Sequence, residues 1–99
     1  MTKQGQAQLN YFLAIIEENS YYENLRKFMA ERGYNYADMA SMLDHQYDKN
    51  APDGMSIYYF MDSLEDTLTE LNEEGTGWQD LKDIDDIVET VYDRLWWKE

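Results

Sequence analysis

Residues 56–71 read SIYYFMDSLEDTLTEL, and this stretch decides the fold because its apolar residues repeat with the period of an α-helix. Ser56 is a suitable N-cap at its start, and the helix-ending sequence Gly75-Thr76-Gly77 follows it. The alternative is a short strand over residues 55–60, whose composition is strand-like and which would make the fold α+β. We favour a helix because the apolar stripe stays in phase, through Ile57, Phe60, Met61, Leu64, Leu68 and Leu71.

The first two helices of the chain are predicted by apolar periodicity and capping residues. The first covers about Gln6 to Asn19. The second opens with Ser20 and Glu23, which have the spacing of a capping box, in which each side chain satisfies a backbone N–H near the other residue. It ends at Gly33, a natural residue for the left-handed C′ position.

The third helix precedes a predicted loop and the helix of residues 56–71, which is the fourth, and the fifth helix follows it. Asn35 is expected to cap the third helix, and residues 48–54, which contain the chain's single proline, are expected to form a loop. The last helix is expected to begin between Gln79 and Asp83. Short connections between helices of similar length are typical of a bundle. We therefore predict one all-α domain over residues 1–99, a compact antiparallel bundle of about five helices.

The charge of the chain is concentrated in its C-terminal half. Residues 51–99 contain fourteen Asp and Glu against three Lys and Arg, whereas residues 1–50 contain seven acids against five bases. The net charge of −13 opposes compaction through self-repulsion, so its retention indicates that the field is used. The surfaces that such a field attracts most strongly belong to basic proteins that bind nucleic acid.

The acids are predicted to lie off the apolar stripes of the last two helices. Carboxylates four residues apart rise by roughly 6 Å along a helix, a spacing similar to that of consecutive phosphates in a nucleic-acid strand. No Lys or Arg occurs between Lys49 and Lys82, so the fourth helix lacks the mixed charges of an ordinary solvated helix. The candidate acids are Asp62, Glu65, Asp66, Glu70, Glu73 and Glu74 on the fourth helix, with Asp80, Asp83, Asp85, Asp86, Glu89 and Asp93 at or on the fifth.

Two pairs of adjacent aromatic residues are candidate anchors for a partner. Neighbouring residues of a helix point in different directions, so at least one of Tyr58 and Tyr59, and one of Trp96 and Trp97, is expected to be exposed. Tyr and Trp are frequent anchors at interfaces. The alternative is that each ring only covers the end of the core, which is the more common role for a single exposed aromatic.

The sequence offers no pattern for catalysis or for a cofactor. It has no cysteine and a single histidine, His45, so a thiolate or histidine-cluster metal site and a Ser-His-Asp triad are not expected. Residues 48–54 depart from a calcium loop because Pro52 stands at a ligand position and the glycine comes one residue late. We therefore expect neither an enzyme nor a cofactor or metal.

Composition also narrows the location and the partners. The polar N-terminus and the short apolar runs predict a cytoplasmic protein rather than a secreted or membrane-spanning one. An acidic surface is repelled by anionic lipid and by phosphates, so direct binding to a membrane or to nucleic acid is not expected. A homodimer remains open, since the apolar stripe of residues 57–71 is long enough for a dimer interface as well as a core.

In its short cysteine-free chain, its acidic half and its carboxylate rows, the chain resembles the small acidic inhibitors of phages and mobile elements that mimic DNA. Asp62, Asp66 and Glu70 form one such row, and Asp85, Asp86, Glu89 and Asp93 form the other. The resemblance implies an anti-CRISPR or anti-restriction protein that occupies the nucleic-acid site of a basic protein. Two alternatives are an immunity or antitoxin protein that neutralises a basic nuclease toxin, and a helical accessory or dimerisation protein with incidental acidity.

Overall fold

Five α-helices make up most of the computed structural model, which describes residues 3–50 and 56–98 and the side chains of residues 3–46 and 56–94. A turn of 3-10 helix at Ser20–Tyr22 precedes the second helix, and no strand occurs within these ranges. The helices are α1 (Lys3–Glu18), α2 (Glu23–Arg32), α3 (Tyr36–Asn50), α4 (Ile57–Glu73) and α5 (Ile84–Lys98). The predicted all-α bundle is confirmed, and the strand alternative for residues 55–60 is wrong from Ile57 onwards.

Helix α4 is the central element of the bundle. It contacts α1, α2 and α5, and nine of its seventeen residues are buried. Its whole predicted stripe, from Ile57 to Leu71, lies inside one core to which all five helices contribute. Because the single chain covers this stripe, it is not available as the dimer interface that the sequence left open.

Three helix ends follow the predicted capping. Asn35 Oδ1 accepts a hydrogen bond from the Ala37 backbone N–H at 2.9 Å, and the Asn35 N–H donates to Asp38 Oδ2 at 2.9 Å, which together form a capping box at α3. Ser56 Oγ accepts from the Tyr59 N–H at 3.3 Å at the start of α4. Gly33 ends α2 with a φ of 66°, the left-handed conformation that glycine adopts without steric cost.

Several predicted boundaries need correction. α1 begins at Lys3 rather than Gln6 and ends at Glu18, while α5 begins at Ile84, one residue after the predicted interval. α3 continues to Asn50, so the first three residues of the predicted loop 48–54 are helical, and the remainder lies outside the described residues.

The predicted capping box at Ser20 and Glu23 is also wrong. Asn19 takes the cap position instead, because its side chain accepts a hydrogen bond from the Tyr21 N–H at 2.9 Å and starts the 3-10 turn. Tyr22, the residue before α2, makes no side-chain capping bond. The Glu23 N–H donates to the Ser20 carbonyl of the 3-10 turn, and the N–H groups after it need other partners.

Glu65 of α4 supplies one of these partners. Its carboxylate accepts a hydrogen bond from the Leu25 N–H at 2.7 Å, within the first turn of α2, and a second from the Thr69 hydroxyl at 3.0 Å. The residue is only 3% exposed. A buried carboxylate is tolerated when its oxygens are hydrogen-bonded, and the N-terminus of a helix favours negative charge. Glu65 therefore caps α2 from another helix and fixes α2 against α4.

Two arginines stabilise the ends of other segments through backbone carbonyls. Arg26 donates to the carbonyl of Ile16 at 2.6 Å and, at longer distance, to that of Asn19, at the end of α1. Arg32 lies 4.8 Å from the Phe28 ring centroid and donates to the carbonyls of Trp78, at 2.7 Å, and Leu81. Both guanidinium groups donate to carbonyls at a helix end or in a turn, and two of these carbonyls, those of Asn19 and Trp78, also accept from a backbone N–H.

Replacing Glu65 by alanine should destabilise the fold by about 2–4 kcal/mol. The substitution leaves the Leu25 N–H buried without an acceptor and opens a cavity beside Thr69. Urea unfolding followed by circular dichroism measures the change as a lower midpoint.

Glu73→Ala is the matched control, because it removes the same side chain from an exposed position of the same helix. Its effect should stay within about 0.5 kcal/mol. Equal midpoints for the two variants would contradict the capping role of Glu65.

Candidate functional site

The exposed side of α4 and its C-cap residue carry four carboxylates at successive i, i+4 positions. Asp62, Asp66 and Glu70 are half-buried and Glu74 is exposed. We call these four residues the acidic row. Residues at i and i+4 are neighbours on a helix surface, so the row follows one inclined ridge of α4. The fold therefore keeps the predicted ladder Asp62-Asp66-Glu70 on one face and extends it by one residue.

Tyrosine hydroxyls hold the first two carboxylates of the row. The Tyr22 hydroxyl donates to Asp62 Oδ1 at 2.5 Å, and the Tyr21 hydroxyl donates to Asp66 Oδ1 at 3.2 Å. Burial, followed by the adjacent carboxylates, raises the pKa of both phenols, so they remain protonated donors. A phenol is a neutral donor, and these bonds position the carboxylates without cancelling their charge.

Arg94 of α5 holds the other end of the row. Its guanidinium donates to both oxygens of Glu74, at 2.6 and 2.9 Å, and lies 3.8 Å from Glu70. The hydrogen bonds from Arg94 hold the pKa of the Glu74 carboxyl below its usual value. These groups line a cleft of about 560 Å³ between α4 and α5, together with Thr90 and Asp93. The expectation that the row carries no neutralising partner is therefore wrong at this end.

Three of the six acids predicted at or on the last helix make contacts that cap α5 or join it to α3. Asp83 Oδ1 accepts from the Asp86 N–H at 2.8 Å, and Asp86 accepts from the Lys82 N–H at 3.2 Å, which together cap α5. Asp85 lies 2.8 Å from the ring of His45. The remaining candidates, Asp80, Glu89 and Asp93, are exposed, as is Glu73 on α4.

Glu65 is the one candidate acid that the fold removes from the surface. Its carboxylate is buried at the start of α2, so its assignment to a partner-binding row is wrong. The sequence does contain the relevant signal. Glu65 stands four residues after Met61 and three before Leu68, and those spacings place it on the apolar face of α4.

The aromatic candidates of α4 are both accessible. Tyr58 is 39% exposed and Tyr59 is 54% exposed, so the predicted exposure of at least one of them is confirmed. Tyr21 is 51% exposed and lies beside the acidic row, a neighbour that the sequence analysis did not identify because it is 45 residues from Asp66. The side chains of Trp96 and Trp97 lie outside the described part of the structure.

Comparison with known proteins gives no relative. No protein-family model, curated protein or solved structure matches the chain. Within residues 3–50 and 56–98, no group of three or more metal-ligating side chains is arranged to hold an ion, and no helix is both long and apolar enough to cross a membrane.

Replacing Arg94 by glutamine should destabilise the protein at neutral pH, and the loss should disappear in acid. Because the folded-state pKa of Glu74 lies below the unfolded value of about 4.3, its pairing stabilises the fold above that pH. That contribution is lost as the pH falls through the folded-state pKa. Melting temperatures of the wild type and variant at a series of pH values measure the difference.

Lys82→Gln is the control, because it removes the same charge from an exposed residue in the segment before α5. Its effect should not follow the titration of Glu74. A deficit in Arg94→Gln that persists unchanged after Glu74 is protonated would contradict the role of this pair.

Removing the hydroxyl of Tyr22 should cost about 1–2 kcal/mol. Tyr22→Phe keeps the buried ring but leaves Asp62 without its phenol donor, and hydrogen bonds to charged groups are stronger than neutral ones. Tyr11→Phe removes the hydroxyl of an exposed tyrosine on α1 and should leave stability within about 0.5 kcal/mol. Urea midpoints measure both changes, and equal midpoints would show that the bond to Asp62 contributes nothing.

Proposed function

We propose that this chain is a non-enzymatic inhibitor whose acidic surface occupies the nucleic-acid-binding site of a basic protein, such as a CRISPR effector or a restriction enzyme. The acidic row imitates a short run of phosphates, and the exposed tyrosines beside it supply contacts from which water is excluded. The observation that supports this proposal is that Asp62 accepts from a neutral phenol, whereas two arginines donate to backbone carbonyls.

Two of the three arginines, Arg26 and Arg32, donate to backbone carbonyls. Among the described residues, Arg94 pairs with Glu74 and Glu70, and Lys27 pairs with Glu23, which lies outside the acidic row. Asp62 instead accepts from the neutral Tyr22 phenol, which fixes its oxygen and leaves its charge in place, and the Tyr21 phenol donates to Asp66. A fold that merely tolerated its acidity would gain stability by pairing Asp62 with Lys or Arg.

Such a surface binds in two physical steps. The net charge of −13 raises the rate of encounter with a basic groove, an effect that falls steeply as salt rises. The positioned carboxylates then pair with Lys and Arg side chains that otherwise bind phosphates. Because these carboxylates are held before binding, less conformational entropy is lost when the complex forms.

An affinity experiment with two variants of equal charge tests this function. Asp62→Asn/Asp66→Asn removes two charges from the row and retains an acceptor for each tyrosine hydroxyl. Close interfacial charge pairs contribute about 1.5 kcal/mol or more each, so this variant, which removes two charges, should bind about 100-fold more weakly. The tagged protein is immobilised, exposed to lysate of its host and eluted in a salt gradient, with duplex DNA as competitor.

Glu17→Gln/Glu18→Gln is the matched control, since it removes two exposed charges at the end of α1. The proposal expects a nucleic-acid-binding protein that DNA displaces, that the control variant retains and that the row variant loses at lower salt. If no basic protein is retained at low salt, or if both variants release it equally, the acidic row is only a solvated surface.

A further inference from the structure

Four aromatic rings form a connected cluster beside the acidic row. Tyr21 packs edge-on against Tyr22 with ring centroids 4.9 Å apart, Tyr22 against Phe12 at 5.0 Å, and Phe12 against Tyr58 at 5.5 Å. Phe12 is fully buried, whereas Tyr21 and Tyr58 are exposed at the two ends of the cluster. The buried ring therefore anchors the exposed ones, and little side-chain freedom remains to be lost when a partner contacts them.

Tyr59 adds a third exposed ring next to this cluster. It stands three residues before Asp62 on α4, and Tyr58 stands four residues before it, so both rings neighbour the Asp62 carboxylate on the helix surface. We call Tyr21, Tyr58 and Tyr59 the tyrosine patch. A carboxylate offers about four acceptor positions, and the Tyr22 hydroxyl takes one of those of Asp62.

The combination of flat rings and a positioned carboxylate selects one kind of cation. A guanidinium group stacks on an aromatic ring and at the same time donates two parallel hydrogen bonds to a carboxylate. An ammonium group is a compact, strongly hydrated charge that lacks the planar fork. A second copy of this chain does not suit the patch, because the face would bring two rows of carboxylates together.

We propose that the tyrosine patch and Asp62 form a docking surface for arginine side chains of a basic partner, with each guanidinium plane against a tyrosine ring and its N–H groups on the carboxylate. The inference rests on the proposed function, since it names the chemistry of the partner for the same surface. It adds that the surface discriminates arginine from lysine, which a row of charges alone does not.

Poly-arginine and poly-lysine peptides of equal length and charge test this discrimination. Dissociation constants are measured by fluorescence anisotropy at several salt concentrations for the wild type and for Tyr58→Leu/Tyr59→Leu. The wild type should prefer the arginine peptide, and the leucine variant should lose about fivefold or more of that preference while it still binds both peptides. Circular dichroism establishes that each variant is folded.

Two further variants separate the rings from general effects. Tyr58→Phe/Tyr59→Phe keeps both ring faces and should retain the preference, and Tyr11→Leu removes an exposed tyrosine outside the patch and should also retain it. Equal wild-type affinity for the two peptides, or a preference unchanged in the leucine variant, overturns the arginine surface and leaves the proposed function standing. Failure of both peptides to bind at low salt overturns the proposed function as well.

Discussion

The hydrogen bond between the Glu65 carboxylate and the Leu25 N–H is the constraint on which the proposed binding surface depends. Helix α2 begins without a side-chain cap of its own, and Glu65 serves its first turn from the buried face of α4. A buried carboxylate has few favourable positions, because each oxygen needs donors. This requirement sets α2 against α4, and it also brings the turn before α2, with Tyr21 and Tyr22, opposite Asp66 and Asp62.

The positions of the basic residues explain why the surface remains strongly negative. A chain with eight basic residues and twenty-one acidic ones cannot pair them all, so the positions of its cations decide where charge remains. Arg26 and Arg32 complete segment ends, and Arg94 joins α4 to α5 through Glu74. The bundle is thus stabilised by the burial of apolar side chains and by hydrogen bonds to backbone groups, whereas the exposed carboxylates of α4 and α5 repel one another.

Local patterns in the sequence predict much of this fold. The errors occur where contacts with residues distant in sequence determine the position of a side chain or a helix end. Apolar periodicity identified the core stripe of α4, and short-range capping identified Asn35, Ser56 and Gly33. Asn19 and Ser20 can both cap a helix. Asn19 takes the cap position because a 3-10 turn begins at Ser20. Glu65 is predicted to lie on the surface because it is charged, although its spacing from Met61 and Leu68 places it on the apolar face. The contacts of Arg94 with Glu74 and of Tyr21 with Asp66 join different segments, and no periodicity within one helix reveals them.

The two ends of the acidic row differ in a way that bears on recognition. Glu70 and Glu74 share the charge of Arg94, whereas Asp62 accepts from the neutral phenol of Tyr22 and Asp66 from that of the exposed Tyr21. At physiological ionic strength, charges more than about 8 Å apart are largely screened from one another at the surface. In the proposed complex, the total charge of the chain would therefore govern encounter, while only the carboxylates closest to a docked cation would govern its affinity. On this reasoning, the proposal assigns contact specificity to the first turns of α4, where the Asp62 carboxylate and exposed tyrosine rings occur together.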